Sequence, residues 1–197
     1  IIALKKARVS PLDRGFLYGD GAFESMRAIN GRVLEWDAHL LRLYGSVERL
    51  GIRLKKFYPP KALAAGAAQL LRRNKLKGAL VRLSVTRGEA SWWGLSSRNV
   101  LGKPTVAMFA APFSGYPEKD YEEGASLVTS RLRHIPSACL PAEVKSLNYL
   151  VGVLAMEEAV KKNADEALLL TPRGNIAEGT QVGGRDCQRR RRSPPSV

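Results

Sequence analysis

The 197-residue sequence has few residues that bind metals, with two cysteines and two histidines. The cysteines, Cys139 and Cys187, lie far apart and match no zinc-ligand spacing, so we expect no metal site. No apolar run approaches the ~20 residues that cross a bilayer, and no signal peptide opens the chain. These absences predict a cytoplasmic protein with reduced thiols, no metal and no membrane association.

Acidic residues are also scarce, with 18 against 32 lysines and arginines, which gives a net charge of +14. Five of the arginines lie in the last 17 residues, and the remaining positive charge is spread without blocks. A dispersed charge of this kind is typical of a solvated surface, so we do not expect nucleic-acid binding. An alternative hypothesis is a non-catalytic protein whose arginine run, residues 189–192, binds a polyanion.

Hydrophobic periodicity predicts both helices and strands. Residues 22–29 read as a strand, Asn30-Gly31 as a hairpin turn and residues 32–36 as the returning strand. Asp37 is predicted to N-cap an amphipathic helix that ends at Gly51. The other expected elements are a loop over 10–15, a glycine turn over 18–21, a helix from Pro60 to near Asn74, strands over 79–86, 104–111, 125–130 and 166–171, an irregular stretch over 131–144, and a helix over 148–162.

Composition also predicts a division of the chain. The proline-rich and glycine-rich stretch that begins at Pro112 reads as a linker. We therefore predict an N-terminal domain over 1–113, a linker over 114–120 and a second, partial domain over 121–180. The basic tail over 181–197 has no hydrophobic period and is expected to be disordered.

One lysine stands out by its surroundings. Lys145 lies among small and apolar residues, between Val144 and Leu147, ahead of an apolar helical run that begins at Leu150. Apolar surroundings lower the pKa of a lysine amine and make it a nucleophile, which is what a lysine that forms a Schiff base requires. The same pattern also fits a lysine that extends its charged end into water before a core helix.

Four motifs occur in order along the chain. They are Asp13-Arg14-Gly15-Phe16-Leu17-Tyr18-Gly19-Asp20-Gly21-Ala22-Phe23-Glu24, His39-Leu40-Leu41-Arg42-Leu43, Lys145-Ser146-Leu147-Asn148-Tyr149-Leu150 and Gly174-Asn175-Ile176-Ala177-Glu178-Gly179-Thr180. In this order and at these separations they resemble the fold-type-IV (class-IV) pyridoxal-phosphate enzymes, which include branched-chain aminotransferases, D-amino-acid aminotransferases and aminodeoxychorismate lyases. The resemblance runs from about Ser10 to Thr180. It implies an α/β fold, with an α+β N-terminal sandwich domain followed by an incomplete, β-barrel-like C-terminal domain.

The resemblance implies roles for three residues in binding pyridoxal 5'-phosphate. Lys145 resembles the lysine that forms a Schiff base with the cofactor and later moves the substrate proton, since one amine can do both. Glu178 resembles the carboxylate that pairs with the pyridine nitrogen and keeps the ring protonated. Arg42 resembles the arginine that binds the cofactor phosphate, a task suited to a guanidinium.

Further positions carry implied roles by the same resemblance. Tyr149 falls where some relatives place a hydroxyl near the phenolic oxygen of the cofactor. Thr180 is the last residue of the fourth motif and is also expected to bind the cofactor. Phe23 stands where D-amino-acid aminotransferases tend to use tyrosine for the substrate carboxylate. Arg87 lies near their carboxylate-binding arginine, and the Trp92-Trp93 loop departs from their pattern.

These departures favour a branched-chain aminotransferase, which would convert an amino acid to its 2-oxo acid with 2-oxoglutarate as acceptor. A D-amino-acid aminotransferase and an aminodeoxychorismate lyase remain alternatives, because they share all four motifs. The resemblance further implies a homodimer in intact relatives.

After Thr180 the sequence departs from the family, and we interpret residues 181–197 as truncated or out-of-frame coding. Relatives continue there with residues that complete the phosphate site. We therefore expect this chain to bind pyridoxal phosphate poorly and to transaminate little. A family-like C-terminal segment grafted after Thr180 should restore both properties.

Overall fold

The computed structural model describes residues 1–180. Its contacts group into two compact units. The first holds Ile1–Gly115 together with Glu143–Asn148, and the second holds Tyr116–Ala142 and the chain from Tyr149 onward. The segment that carries Lys145 thus belongs to the first unit, although it follows a long stretch of the second. The domain boundaries that we derived from composition stay a prediction.

The first unit is built on an antiparallel four-stranded sheet. In chain order its strands are β1 (Gly21–Ile29), β2 (Arg32–Val33), β3 (Ala79–Thr86) and β4 (Thr105–Pro112), and their order in the sheet is β2-β1-β3-β4. Asn30 and Gly31 turn β1 into β2 with φ angles of 52° and 73°. Two consecutive positive φ angles are what a two-residue hairpin turn of the type predicted here requires.

Four helices accompany this sheet: α1 (Arg14–Tyr18), α2 (Trp36–Arg49), α3 (Leu54–Phe57) and α4 (Pro60–Arg73). The strands alternate, so that one face of β1 and β3 is buried, with Met26, Val81 and Leu83 almost fully inaccessible. This face packs with Leu43 and Val47 of α2 in one apolar core. Burial of each such side chain contributes ~2 kcal/mol.

Three details of the first unit differ from the sequence prediction. The returning strand stops at Val33 instead of continuing to residue 36, because Glu35 adopts a left-handed conformation with φ 48° and redirects the chain into α2. Asp37 is therefore not the N-cap. It lies in the first turn, where its charge still favours the positive helix end. The stretch predicted as a loop contains the N-cap of α1, since the Asp13 side chain accepts a hydrogen bond from the Gly15 amide.

Within the described residues, the second unit combines a three-stranded sheet with two helices. Its elements are α5 (Glu118–Glu122), β5 (Leu127–Arg133), α6 (Leu150–Lys161), β6 (Glu166–Leu170) and β7 (Ile176–Gly179), with the sheet order β5-β6-β7. Strand β5 is parallel to β6, and β7 is antiparallel to it. Ala155 and Ala159 of α6 pack on Ala167 and Leu169 of β6. Strand β5 runs three residues past its predicted end, so the irregular stretch is shorter than predicted.

The described residues bear on only some of the expectations about membranes, metals, the basic tail and location. Across residues 1–180, no helix is long and apolar enough to cross a membrane, and no cluster of three potential metal-ligating side chains occurs. The predicted disorder of the basic tail lies outside the described residues. The cytoplasmic location stays a prediction.

Candidate active site

The segment that carries Lys145 is held against the edge of β1 as a short strand. The Phe23 amide donates to the carbonyl of Lys145 at 3.0 Å, and the Leu147 amide donates to the carbonyl of Gly21 at 2.9 Å. Between them Ala22 and Ser146 form an antiparallel bridge. The approach is close because Gly21 has no side chain: a Cβ there would lie 2.8 Å from Cδ1 of Leu147 in the paired segment.

This pairing places the Lys145 side chain on the sheet face of Phe23. Lys145 Nζ lies 4.7 Å from the centroid of the Phe23 ring. The Arg82 guanidinium carbon lies 3.3 Å from the same centroid. Two cations thus contact one nearly buried aromatic ring, an arrangement in which the ring attracts each cation by ~0.5–2 kcal/mol.

Arg82 projects from β3 on this face and is only half-buried. Its Nη1 donates to the Ser25 hydroxyl at 3.2 Å, and its Nε donates to the Ser84 hydroxyl at 3.4 Å. Two neutral hydroxyls thus orient the guanidinium, whose planar fork of donors suits a carboxylate. Lys145, Phe23 and Arg82 therefore form a cationic, aromatic site on one sheet face.

Arg42 occupies the other side of β1, on α2. Its Nε and Nη2 donate to the two carboxylate oxygens of Glu24 at 2.6 Å each, and His39 Nδ1 lies 2.8 Å from Glu24 Oε2. Glu24 is 1% exposed, whereas about half of the Arg42 side chain is accessible. A fully buried carboxylate requires such partners. Glu24 therefore fixes one edge of the Arg42 guanidinium.

No sequence pattern identified Glu24, His39 or Arg82 as a site residue. Glu24 carried a usable signal, because it interrupts the buried face of an otherwise apolar strand and a buried charge needs a partner. His39 and Arg42 are three residues apart on a helix and thus share a face, which could have suggested that partner. Arg82 read only as an exposed position of an alternating strand.

Arg87, which we predicted to bind substrate, has other contacts in the structure. It donates to both carboxylate oxygens of Asp20, at 2.7 and 3.1 Å, and to the carbonyls of Leu50 and Gly51. These bonds use four of the five N–H groups of a guanidinium. The role in substrate binding stays a prediction, but these contacts do not favour it.

Asp20 joins Arg87 to a second, nearly buried arginine of the first motif. Arg14 donates to Asp20 at 2.8 Å and to the carbonyls of Gly94 and Leu95 at 2.9 Å, which ties the Trp92-Trp93 loop to the start of β1. Burial by itself would raise the pKa of Asp20. The hydrogen bonds and charges of Arg87 and Arg14 outweigh that effect and lower the pKa below its usual value of 3.8.

We expect Asp20→Asn to lower the free energy of unfolding by about 2 kcal/mol at neutral pH, because two largely buried arginines lose a charged acceptor. A group with a lowered folded pKa stabilises the fold only while it is ionised. The wild-type chain should therefore lose this contribution as the pH falls below about 3.8. Urea unfolding at neutral and acid pH measures both effects. The prediction is contradicted if the variant matches the wild type at neutral pH.

In the second unit, Glu178 lies on β7 with its Oε1 3.2 Å from His134 Nε2. Both side chains are about one-third exposed, so the carboxylate is accessible as a partner for a cation. Tyr149 is the N-cap of α6. Thr180 donates its hydroxyl and its amide to the buried carboxylate of Glu166, which closes the end of the β6–β7 pair. The cofactor roles of these residues stay predictions.

The sequence matches the family described as amino-transferase class IV over residues 21–182. The chain therefore belongs to this family. A Methanocaldococcus jannaschii protein described as a putative branched-chain-amino-acid aminotransferase is 40% identical over 176 residues, which are 89% of this chain and 59% of that protein. The D-alanine aminotransferase of Bacillus licheniformis is 32% identical over 85% of this chain and 56% of its own length.

Solved structures agree with this membership. The branched-chain amino acid aminotransferase of T.th., in complex with pyridoxamine 5'-phosphate, superposes with a TM-score of 0.82 at 29% identity, over 91% of this chain and 59% of that one. The 4-amino-4-deoxychorismate lyase of Pseudomonas aeruginosa has a TM-score of 0.72 at 30% identity, over 89% and 62%. The predicted fold-type-IV α/β architecture is confirmed. The chain spans about three-fifths of the length of these relatives.

Proposed function

We propose that this chain contains the Schiff-base lysine of a pyridoxal-phosphate aminotransferase. This enzyme would convert a branched-chain amino acid to its 2-oxo acid, with 2-oxoglutarate as the amino acceptor. One observation carries the proposal. The Lys145 backbone is fixed between β1 and α2, and its amine lies on an aromatic ring beside a half-buried arginine. A fixed amine next to a cationic anchor suits a nucleophile that must meet an amino acid in one orientation.

The residues present fit the cofactor by their chemistry. Pyridoxal phosphate, when bound, supplies an aldehyde for the amine and a pyridine ring that accepts electrons. Lys145 would hold the cofactor through its amine and would carry the proton to and from the substrate. The half-exposed Arg42, oriented by Glu24, would hold the phosphate. Glu178 would pair with the ring nitrogen and keep it protonated.

Arg82 is the residue that we assign to the substrate carboxylate. It shares the face of Lys145, its guanidinium is oriented by neutral serines, and it lies against Phe23. An apolar residue at position 23, beside Arg82 and Lys145, fits an aliphatic substrate side chain and favours a branched-chain donor. The 40% identity to the Methanocaldococcus jannaschii protein, which is described as a putative branched-chain-amino-acid aminotransferase, also supports a branched-chain donor. The homodimer stays a proposal drawn from the resemblance.

Absorbance spectra with pyridoxal phosphate test the proposal. They are recorded for the chain and for a chimera that continues residues 1–180 with the C-terminal part of the Methanocaldococcus jannaschii relative. L-valine, L-leucine and L-isoleucine should convert the bound cofactor to its amine form, and 2-oxoglutarate should reverse the change. Conversion by D-alanine alone would favour a D-amino-acid aminotransferase. Pyruvate release from aminodeoxychorismate would favour the lyase.

We expect Arg82→Gln to raise the KM for the amino acid about 10- to 100-fold in the chimera, the size of a charge-assisted hydrogen bond. Arg87→Gln is the matched control, since it removes a guanidinium that Asp20 already engages. It should lower thermal stability and leave KM within about threefold. A raised KM in Arg87→Gln with an unchanged KM in Arg82→Gln would assign the substrate carboxylate to Arg87, the residue predicted from the sequence.

A further inference from the structure

Ser46 is a fully buried hydroxyl in the middle of α2, with 1% of the residue exposed. A serine inside a helix commonly faces water or bonds to its own helix. Ser46 instead contacts a segment almost one hundred residues away. Its Oγ accepts from the Lys145 amide at 3.2 Å and donates to the Glu143 carbonyl at a longer 3.4 Å.

With these contacts, both the backbone carbonyl and the backbone amide of Lys145 are hydrogen-bonded. The Phe23 amide of β1 donates to the Lys145 carbonyl, and the Lys145 amide donates to the Ser46 hydroxyl. The neighbouring Val144 side chain is buried. Lys145 is thus held from a strand on one side and from a helix on the other, while its side chain remains half-buried and on the face of Phe23.

Ser46 also follows Arg42 by four residues, so the two side chains lie one turn apart on the same side of α2. Glu24 of β1 fixes Arg42, and Ser46 fixes the lysine segment. One helix therefore sets the position of two residues to which the proposed function assigns neighbouring groups of the cofactor, its phosphate and its aldehyde. Rigid elements hold such groups better than loops do.

We infer that Ser46 is a positioning residue, whose hydroxyl sets the place of the Lys145 backbone relative to Arg42. The inference rests on the proposed function. Ser46 acts through Lys145 and makes no contact with the reacting atoms. Loss of the hydroxyl should leave the fold in place and reduce the selectivity with which Lys145, rather than another lysine, captures an aldehyde.

The test compares Ser46→Thr with Ser46→Val in the full chain. Thr and Val have nearly the same shape, so the pair differs by the hydroxyl alone. Ser46→Ala against the wild type gives the same comparison without added bulk, should the larger side chains unfold the protein. Ser130→Ala is the control, because it removes another buried hydroxyl, in the second unit.

Two measurements are made at matched folded fractions. Hydrogen exchange of the Lys145 amide should be about tenfold faster in the valine and alanine variants, the size of one neutral hydrogen bond. Borohydride trapping with pyridoxal phosphate at high concentration, followed by peptide mass spectrometry, gives the share of label on Lys145. That share should fall about tenfold in the same two variants, and the threonine variant and the control should keep it.

Each other outcome overturns the inference in a distinct way. Equal amide exchange in the threonine and valine variants would mean that the contact is absent. A difference in exchange with an equal share of label would make Ser46 a structural residue only. If the wild-type chain shows no preference for Lys145, the lysine assignment of the proposed function fails, and the positioning role fails with it.

Discussion

Lys145→Ala is expected to abolish specific covalent attachment of pyridoxal phosphate and, in the chimera, all transamination. Attachment requires a primary amine, and alanine supplies none. No neighbouring group replaces it within the site described, because Arg82 has a guanidinium that stays protonated and cannot act as a nucleophile. Borohydride reduction followed by peptide mapping measures attachment, and absorbance after addition of L-leucine measures turnover.

Lys103→Ala is the matched control for this change. Lys103 also places its Nζ near an aromatic ring, 5.9 Å from that of Tyr58, but no strand pairing holds it in the way that β1 holds Lys145. The control should retain both attachment and turnover. Stoichiometric label on one other lysine in the Lys145→Ala variant would show that the nucleophile has been misassigned.

The sequence predicted the parts of the fold that local physics decides. Strand β3 was predicted at its observed bounds, because Val81, Leu83 and Val85 alternate with more exposed positions. The turn at Asn30-Gly31 was predicted because few other residues accept two positive φ angles. Local patterns fail where the tertiary structure overrides them. Glu35 ended the second strand early in a conformation that its side chain does not favour.

The candidate site divides in the same way. Lys145 and Arg42 could be selected because their motifs are contiguous in the chain. Arg82 could not, since its importance comes from the strand register that sets it beside Phe23, on the face of a lysine far along the chain. Arg87 attracted a functional interpretation because its partner, Asp20, lies 67 residues away in sequence. A guanidinium pattern alone does not distinguish a structural arginine from a binding one.

Glu178→Gln is expected to lower the turnover number of the chimera by several decades, since each ~1.4 kcal/mol of lost transition-state stabilisation costs a factor of ten. Glutamine keeps the size of the side chain and a hydrogen-bond acceptor towards His134, but it loses the negative charge. In the proposed role, that charge would keep a proton on the ring nitrogen of bound pyridoxal phosphate. Attachment at Lys145 should persist, because Glu178 takes no part in that bond.

Stopped-flow absorbance at saturating L-leucine separates the two effects, with attachment read before the amino acid is added and turnover afterwards. Glu158→Gln is the control in the same unit: Glu158 is a half-buried carboxylate that accepts from the Arg131 amide, and its change should leave the rate within about threefold. If the Glu178→Gln variant has the cofactor attached and an unchanged rate, the proposed pairing of Glu178 with the ring nitrogen is wrong. In that case the hydrogen bond to His134 would be its structural role, and the charge that balances the ring would have to come from another carboxylate.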